Sequence, residues 1–347
     1  MKMNNLGDSG LSVSELCLGS MTWGSQNTQN DAFEQIDHAL ANGVNFIDTA
    51  EMYPVNPVRA ERLGRTEDII GNWFETTNRR GDVVLASKIT GPNAIPVRDG
   101  EPITKKSIHK ALEGSLKRLK TDYIDLYQLH WPNRGSYHFR QNWSYDPSAQ
   151  HVEKTRDNML DVIETLDGLV KDGKIRAYGH SNETAWGLTR WAQLARENGW
   201  AKSASTQNEY SLMCRVYDTD LAEVTAQENI PLLSYSPLAV GLLTGKYQNG
   251  ACPEGSRKSL VPELGGRVTD RAFPATQAYL DVAKKHGLDP TQMALAFCIG
   301  RPFMASTIFG ATTMAQLDCA LGSVDLTLSD EVLKDITAAH QAHPMPF

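Results

Sequence analysis

Four side chains able to move or steady a proton stand at or just beyond the ends of short apolar runs. Asp48 falls near the end of VNFIDT (44 to 49), and Tyr53 follows it by five residues in FIDTAEMYP. Lys88 closes VVLASK (83 to 88), and His130 closes YIDLYQLH (123 to 130). A phenol titrates near about 10, too high for efficient proton transfer at neutral pH, and a nearby ammonium lowers that value by stabilising phenolate. Lys88 is the ammonium expected to do this for Tyr53. A partly buried ammonium needs a counter-charge, and Asp48 can supply it. His130 can then hydrogen-bond a substrate oxygen and stabilise charge developing there. A tuned phenol that hands a proton to an oxygen suits the reduction of a carbonyl. Taken singly, each residue has a plainer role: a loop-capping aspartate, a snorkelling lysine, a satisfied core histidine. Their arrival at the ends of three successive apolar runs is what points to one site.

The elements that must position them repeat. Eight short apolar runs read as strands: 14 to 20, 44 to 49, 83 to 88, 123 to 130, 175 to 182, 204 to 208, 231 to 238 and 305 to 311. Between most of them lie amphipathic stretches with helix signals. DAFEQIDHALANG ends on Gly43, EDIIGNWFETT follows Thr66 as an expected N-cap, SIHKALEGSLKRLK shows three-to-four spacing, and NMLDVIETLDGLVKDG closes on Gly173. Alternation of this kind implies parallel strands with crossover helices, and a single α/β domain over 1–347, a closed (β/α)8 TIM barrel, is the economical solution. Such a barrel builds its active site at the C-terminal ends of its strands. The surplus length is expected in an N-terminal hairpin around GDSG, in 131 to 154 after the fourth strand and in 239 to 304 after the seventh. The last contains DPTQMALAFC, where Asp289 can cap, Pro290 suits the first turn and Gln292 can complete a capping box.

Composition narrows the classes. The chain has 347 residues, 41% hydrophobic and 22% charged, which is ordinary for a folded globular protein. Its 34 basic and 41 acidic residues give a net charge of −7 without a long run of either sign, so no nucleic-acid partner is expected. No secretory signal or membrane span is evident, and a soluble, cytoplasmic protein without an obligate protein partner is the expectation. Five scattered cysteines without a CxxC pair read as reduced thiols. Nine histidines form neither HxH nor HExxH, so no metal site is expected and a metal-dependent barrel hydrolase is disfavoured.

Carbonyl reduction needs a hydride that side chains cannot supply. The chain has no GxGxxG, so a nicotinamide would have to bind across the barrel mouth. FIDTAEMYP, SKIT, LYQLHWP, GHSN, TQNEYSL, YSPLAVGLLTGKY and TIFGATTMAQL, in this order and at these separations, resemble the aldo-keto reductases across nearly the whole chain. The similarity is to their Tas-type bacterial branch in particular, itself related to potassium-channel β subunits. The resemblance implies a catalytic tetrad of Asp48, Tyr53, Lys88 and His130, and a bound NADPH/NADP+ lying extended on the rim. It implies that Ser181, Asn182 and Gln207 hold the nicotinamide carboxamide and that Tyr235 stacks on the ring. Ser236, Pro237, Leu238, Gly241 and Lys246 fall in the loop over the pyrophosphate, Arg257 fits a contact to the 2′-phosphate, and Ser20, Met21, Asp48, Gly310, Thr312 and Gln316 complete the implied cofactor set.

Two departures stand out. Where the family carries an acidic residue and an asparagine on the adenine side, this chain has Cys319 and Ala320, so fewer adenosine contacts are expected. His180 replaces an apolar residue, and strand alternation turns it to the outer face, between barrel and helices. The segment 131 to 154 carries Trp131, Tyr137, Phe139, Trp143 and Tyr145. These rings either wall a substrate pocket or anchor the loop itself, and Trp23 is another candidate wall. Arg134 and Arg140 read as solvated surface before anion contacts. The resulting expectation is NADPH-dependent reduction of a small-molecule aldehyde or ketone. The alternative is a nicotinamide-nucleotide-sensing, partner-binding subunit.

Overall fold

The computed structural model describes residues 1–347. A hairpin of β1 (Met3–Asn5) and β2 (Ser12–Ser14) precedes eight parallel strands: β3 (Leu16–Gly19), β4 (Phe46–Asp48), β5 (Val84–Ile89), β6 (Ile124–Leu129), β7 (Ile175–Ser181), β8 (Thr206–Glu209), β9 (Leu232–Tyr235) and β10 (Met304–Phe309). These eight close into a barrel, with β10 returning to pair with β3 through Thr307 and Leu16. Each of the eight apolar runs supplies one barrel strand, because each is buried on both faces and can exist only inside a parallel sheet covered by helices.

The hairpin plugs one end. Leu6, Leu11 and Val13 pack with Cys17, Phe46, Ala86, Leu126 and Leu233 in a small core at the barrel floor. Larger apolar layers lie between the barrel and its helices, one of them including Ile69, Trp73, Leu112, Ile163 and Trp191. With the floor filled, the C-terminal end of the barrel is the open mouth, and polar residues at strand ends are delivered there.

One expected cap and one half of an expected capping box are replaced by other contacts. Thr66 lies inside the helix Arg65–Thr77, whose N-cap is Gly64, and its hydroxyl donates to the Trp23 carbonyl at 2.7 Å. Loop and helix thus meet through the side chain that would otherwise have capped. Asp289 does cap Pro290–Ile299, but Gln292 donates its amide to the Cys319 carbonyl at 3.2 Å instead of closing a box.

The long segment after β6 is pinned by a buried charge. Glu183 accepts from both terminal nitrogens of Arg134 and from the Trp191 indole at 3.1 Å. Its own carbonyl accepts from His138 at 3.0 Å and Asn208 at 3.0 Å. Arg134 is therefore not solvated surface: its side chain is 7% exposed and serves as the counter-charge of a buried carboxylate. Removing one member of such a pair strands the other charge, at a typical cost of about 3–5 kcal/mol. Glu183→Ala should accordingly lower Tm by several degrees and open residues 131–151 to limited proteolysis; an unchanged melting curve and cleavage pattern would show that this pair does not hold the segment.

Candidate functional site

β4, β5 and β6 are adjacent in the barrel, so their last residues reach one rim. Lys88, fully buried, points its ammonium inward, where it donates to Asp48 Oδ2 at 2.6 Å, to the Thr49 carbonyl at 2.7 Å and to the Tyr53 hydroxyl at 3.4 Å. Asp48 is the last residue of β4, and the turn after it brings Tyr53 back over the same ammonium. The Tyr53 and His130 rings stand edge to face, their centroids 6.1 Å apart. The structure brings Asp48, Tyr53, Lys88 and His130 together.

Asp48 is held from both sides. Its Oδ1 accepts from Gln207 at 2.8 Å and from Gln128 at 3.3 Å, while its backbone carbonyl accepts from the Ser20 hydroxyl at 2.7 Å. Gln128 escaped the sequence reading. Its signal was a polar residue in LYQLH, a strand buried on both faces, where an amide needs an interior partner.

Electrostatics correct one expectation. Burial pushes the Tyr53 phenol above its usual value, and the opposing pull of Lys88 does not reverse this. The ammonium shares its proton chiefly with Asp48, so its field at the phenol is partly cancelled. Lys88 itself stays charged: burial disfavours the ammonium, but Asp48 and Tyr53 outweigh that and raise its pKa. Burial and the Lys88 charge hold His130 well below its usual range, hence neutral at pH 7. Its Nδ1 is buried without a partner. A bare lone pair there costs less than a stranded N–H, so the proton belongs on Nε2, which can donate at the mouth.

The residues implied for cofactor binding form an arc around this centre. Ser181 ends β7, and its hydroxyl donates to the Gln207 carbonyl at 2.8 Å. Asn182 donates to the His130 carbonyl at 2.9 Å and accepts from the Tyr235 hydroxyl at 2.7 Å, which ties the half-buried ring at the end of β9 to the tetrad. After Tyr235 the backbone takes left-handed φ values at Ser236 (54°), Ala239 (47°), Val240 (55°) and Gly241 (99°). For a β-branched valine this is a strained conformation, of the sort that clusters at ligand clamps and turns N–H groups toward anions. Pro237 is buried in this turn and Leu238 half-buried, and Lys246 returns to Gly241, where an added Cβ would come within 2.9 Å of its Cε.

Arg257 sits across the mouth. Its guanidinium donates to Asn56 at 3.0 Å and to the Met21 sulfur at 3.8 Å, meets no carboxylate, and leaves Nε buried and unpartnered. Burial and the repulsion of Arg267 push its pKa down to about 10. A desolvated cation without a counter-charge is a demand for an anion. On the β10 side, Gly310 is exposed and Gln316 accepts from the Thr312 amide at 2.9 Å, next to the half-buried Cys319. This donor set fits a dinucleotide laid along the rim. Ser20, Ser181 and Gln207 are the exceptions, since the two hydroxyls already donate to the Asp48 and Gln207 carbonyls and the Gln207 amide to Asp48 Oδ1.

The aromatic segment divides its work. Trp131 packs on His130 at 5.0 Å and meets Phe139 edge to face at 5.9 Å, forming a wall beside the tetrad. Tyr137 lies tilted against His138 at 4.5 Å and meets Tyr145 at 6.1 Å, bracing the loop, and it also lines a cavity beside Phe139 and Arg140. Trp143 is 56% exposed and lies against Arg271 at 4.6 Å, on the outer surface. Trp23 is not a wall: it is fully buried, with its indole donating to Gln35 at 2.9 Å. His180 lies on Trp191 at 4.8 Å, on the outer face of β7 as alternation required.

Residues 15–341 match the Aldo/keto reductase family. The chain belongs to that family. Over 350 residues it is 45% identical to Protein tas of Escherichia coli (strain K12), covering 100% of this chain and 99% of that one. It is 32% identical to the uncharacterized oxidoreductase YrpG of Bacillus subtilis (strain 168), over 96% of this chain and 94% of that one. A probable voltage-gated potassium channel subunit beta of Oryza sativa subsp. japonica is 30% identical over 99% of this chain and 98% of its own length. As an aldo/keto reductase family member the chain is an oxidoreductase.

Trp131 owes its position to Gly91, where an added Cβ would lie 2.2 Å from the indole. Gly91→Ala must therefore displace the ring, and tryptophan emission and near-UV circular dichroism should both change. Spectra identical to those of the native protein would mean that the indole does not rest on residue 91.

Proposed function

We propose that this aldo/keto reductase reduces aldehydes or ketones to alcohols with NADPH, using Tyr53 as general acid and, in reverse, as general base. The observation carrying this reading is the buried line from Asp48 through Lys88 to the Tyr53 hydroxyl, with a neutral His130 beside it. Bound nicotinamide would supply the hydride. Tyr53 gives its proton to the carbonyl oxygen, and His130 Nε2 donates to the same oxygen and fixes its place. Asp48 keeps Lys88 charged, Lys88 steadies the phenolate left behind, and the Trp131 wall excludes water from the exchange.

The raised phenol pKa sets the sign of the pH dependence. Below that pKa Tyr53 holds its proton, the form that reduction needs, and loses it only as pH rises through a value above about 10. Reduction of an aldehyde, followed as loss of NADPH absorbance, should be level from pH 6 to 9, while alcohol oxidation should rise with pH. Tyr53→Phe should lower kcat by about 100-fold or more at every pH, the scale of general acid catalysis. Turnover surviving intact in that variant would remove the phenol from the mechanism.

The preference for NADPH draws on the unpaired Arg257 guanidinium, which a 2′-phosphate would neutralise bidentately. Arg257→Leu should raise KM for NADPH by about tenfold or more and leave KM for NADH nearly unchanged; equal losses on both would assign the arginine elsewhere. A second reading, a nucleotide-sensing partner subunit, draws on the rice channel relative and predicts tight cofactor binding with very slow single-turnover hydride transfer. The complete tetrad favours the enzyme.

A further inference from the structure

We propose that Arg140 forms a subsite for a carboxylate on the substrate, so that the preferred substrates are carbonyl compounds carrying an anionic group at the far end of a ring or a few methylenes. The carbonyl part rests on the reductase reading above; the anion subsite stands on its own geometry.

Glu209, the last residue of β8, is buried and faces two guanidiniums. It accepts from Arg140 Nη1 at 3.1 Å and from Arg267 through Nε at 2.8 Å and Nη2 at 2.7 Å. One carboxylate against two arginines leaves one positive charge over. The two arginines are not equivalent. Arg267 is 4% exposed and also donates Nη1 to the Leu264 carbonyl at 3.0 Å, so both ends of its fork are occupied. Arg140 makes its single bond to Glu209 and leaves Nε and Nη2 free, with its side chain 18% exposed. That open edge lies against Gly265 and Gly266, where an added Cβ would stand 3.8 Å from Nη2 and 3.4 Å from Nε.

The backbone is bent to aim this group. Phe139 (φ 57°) and Arg140 (φ 64°) are consecutive left-handed residues with side chains, a strained backbone that the fold must hold in place. The bend sends the Phe139 ring to Trp131, beside His130, and the Arg140 guanidinium to Glu209. The two side chains therefore continue the wall away from the tetrad, first apolar, then cationic. A cavity of about 40 Å³ lies at this end, lined by Phe139, Arg140, Glu209, Cys214 and Phe347. It is roomy enough for a few small polar atoms, and its apolar sides strengthen a charge-assisted bond formed inside it. A free edge with Nε and a terminal nitrogen is the geometry that receives a carboxylate bidentately.

The test compares 4-carboxybenzaldehyde with its methyl ester, measuring kcat/KM for each in the native protein, in Arg140→Gln and in Arg140→Lys. The native protein should favour the acid by about tenfold to hundredfold, the worth of a hydrogen bond to a charged group. The ratio should fall toward one in Arg140→Gln and stay intermediate in Arg140→Lys. A parallel titration with benzoate, read by tryptophan fluorescence and requiring no turnover, should show binding at least tenfold weaker in Arg140→Gln than in the native protein. Loss of benzoate binding in the variant, with no aldehyde turned over by any form, supports the subsite and sinks only the reductase reading. No preference for the acid in the native protein, or equal losses on acid and ester with benzoate binding unchanged, overturns the proposal.

Discussion

A lysine ammonium with no exposure to water is the constraint around which this barrel is arranged. Taking Lys88 out of water costs several kcal/mol unless its charge is met at close range and its remaining protons are bonded. Asp48 meets the charge, and the Thr49 carbonyl and Tyr53 hydroxyl take the other protons. The demand then passes outward. Asp48 must itself be fixed, which places two glutamine amides in the barrel interior and the Ser20 hydroxyl against its backbone. Strand spacing, the plugged floor and the turn from Asp48 to Tyr53 all serve to keep this one ion pair whole.

The same desolvation sets the protonation states of the site. Burial raises the phenol and lowers the imidazole, while Asp48 and Tyr53 keep the lysine charged against it, so the site at neutral pH offers two neutral donors beside one compensated cation. That arrangement favours giving a proton to an oxygen over taking one. Farther out on the mouth the balance changes. Arg257 has no carboxylate, and Arg140 and Arg267 share one, so the rim carries positive charge that the tetrad does not. A site neutral at its centre and cationic at its edge suits a reactive group of no charge presented by anionic partners.

Outside the barrel the charges that hold loops are buried in the same way. Glu183 is surrounded by Arg134, the Trp191 indole and the helix that starts after Thr184, and through its carbonyl it also holds His138 and Asn208. This clamp lets the segment after β6 divide its aromatic residues. Trp131 and Phe139 face the rim, Tyr137 and Tyr145 brace the loop, and Trp143 stays outside. The aromatic count alone could not assign these places.

The sequence by itself determined the barrel and the identity of its four central residues. The eight apolar runs are short, buried on both faces and separated by amphipathic helices, a local pattern that admits few other sheets. A polar residue at the end of such a run must emerge at the mouth, so Asp48, Lys88 and His130 could be read as one group. Only the tertiary structure decided which polar and aromatic side chains find partners across the chain. Thr66 was a cap until Trp23 offered its carbonyl, Trp23 a pocket wall until Gln35 took its indole, and Arg134 a surface charge until Glu183 was buried beside it. It also decided the phenol, since the sequence names the lysine that lowers its pKa but not the burial that raises it. The physical reason is common to all of these: periodicity along a strand or helix fixes which way a side chain faces, whereas desolvation and pairing depend on residues that meet only after the barrel has closed.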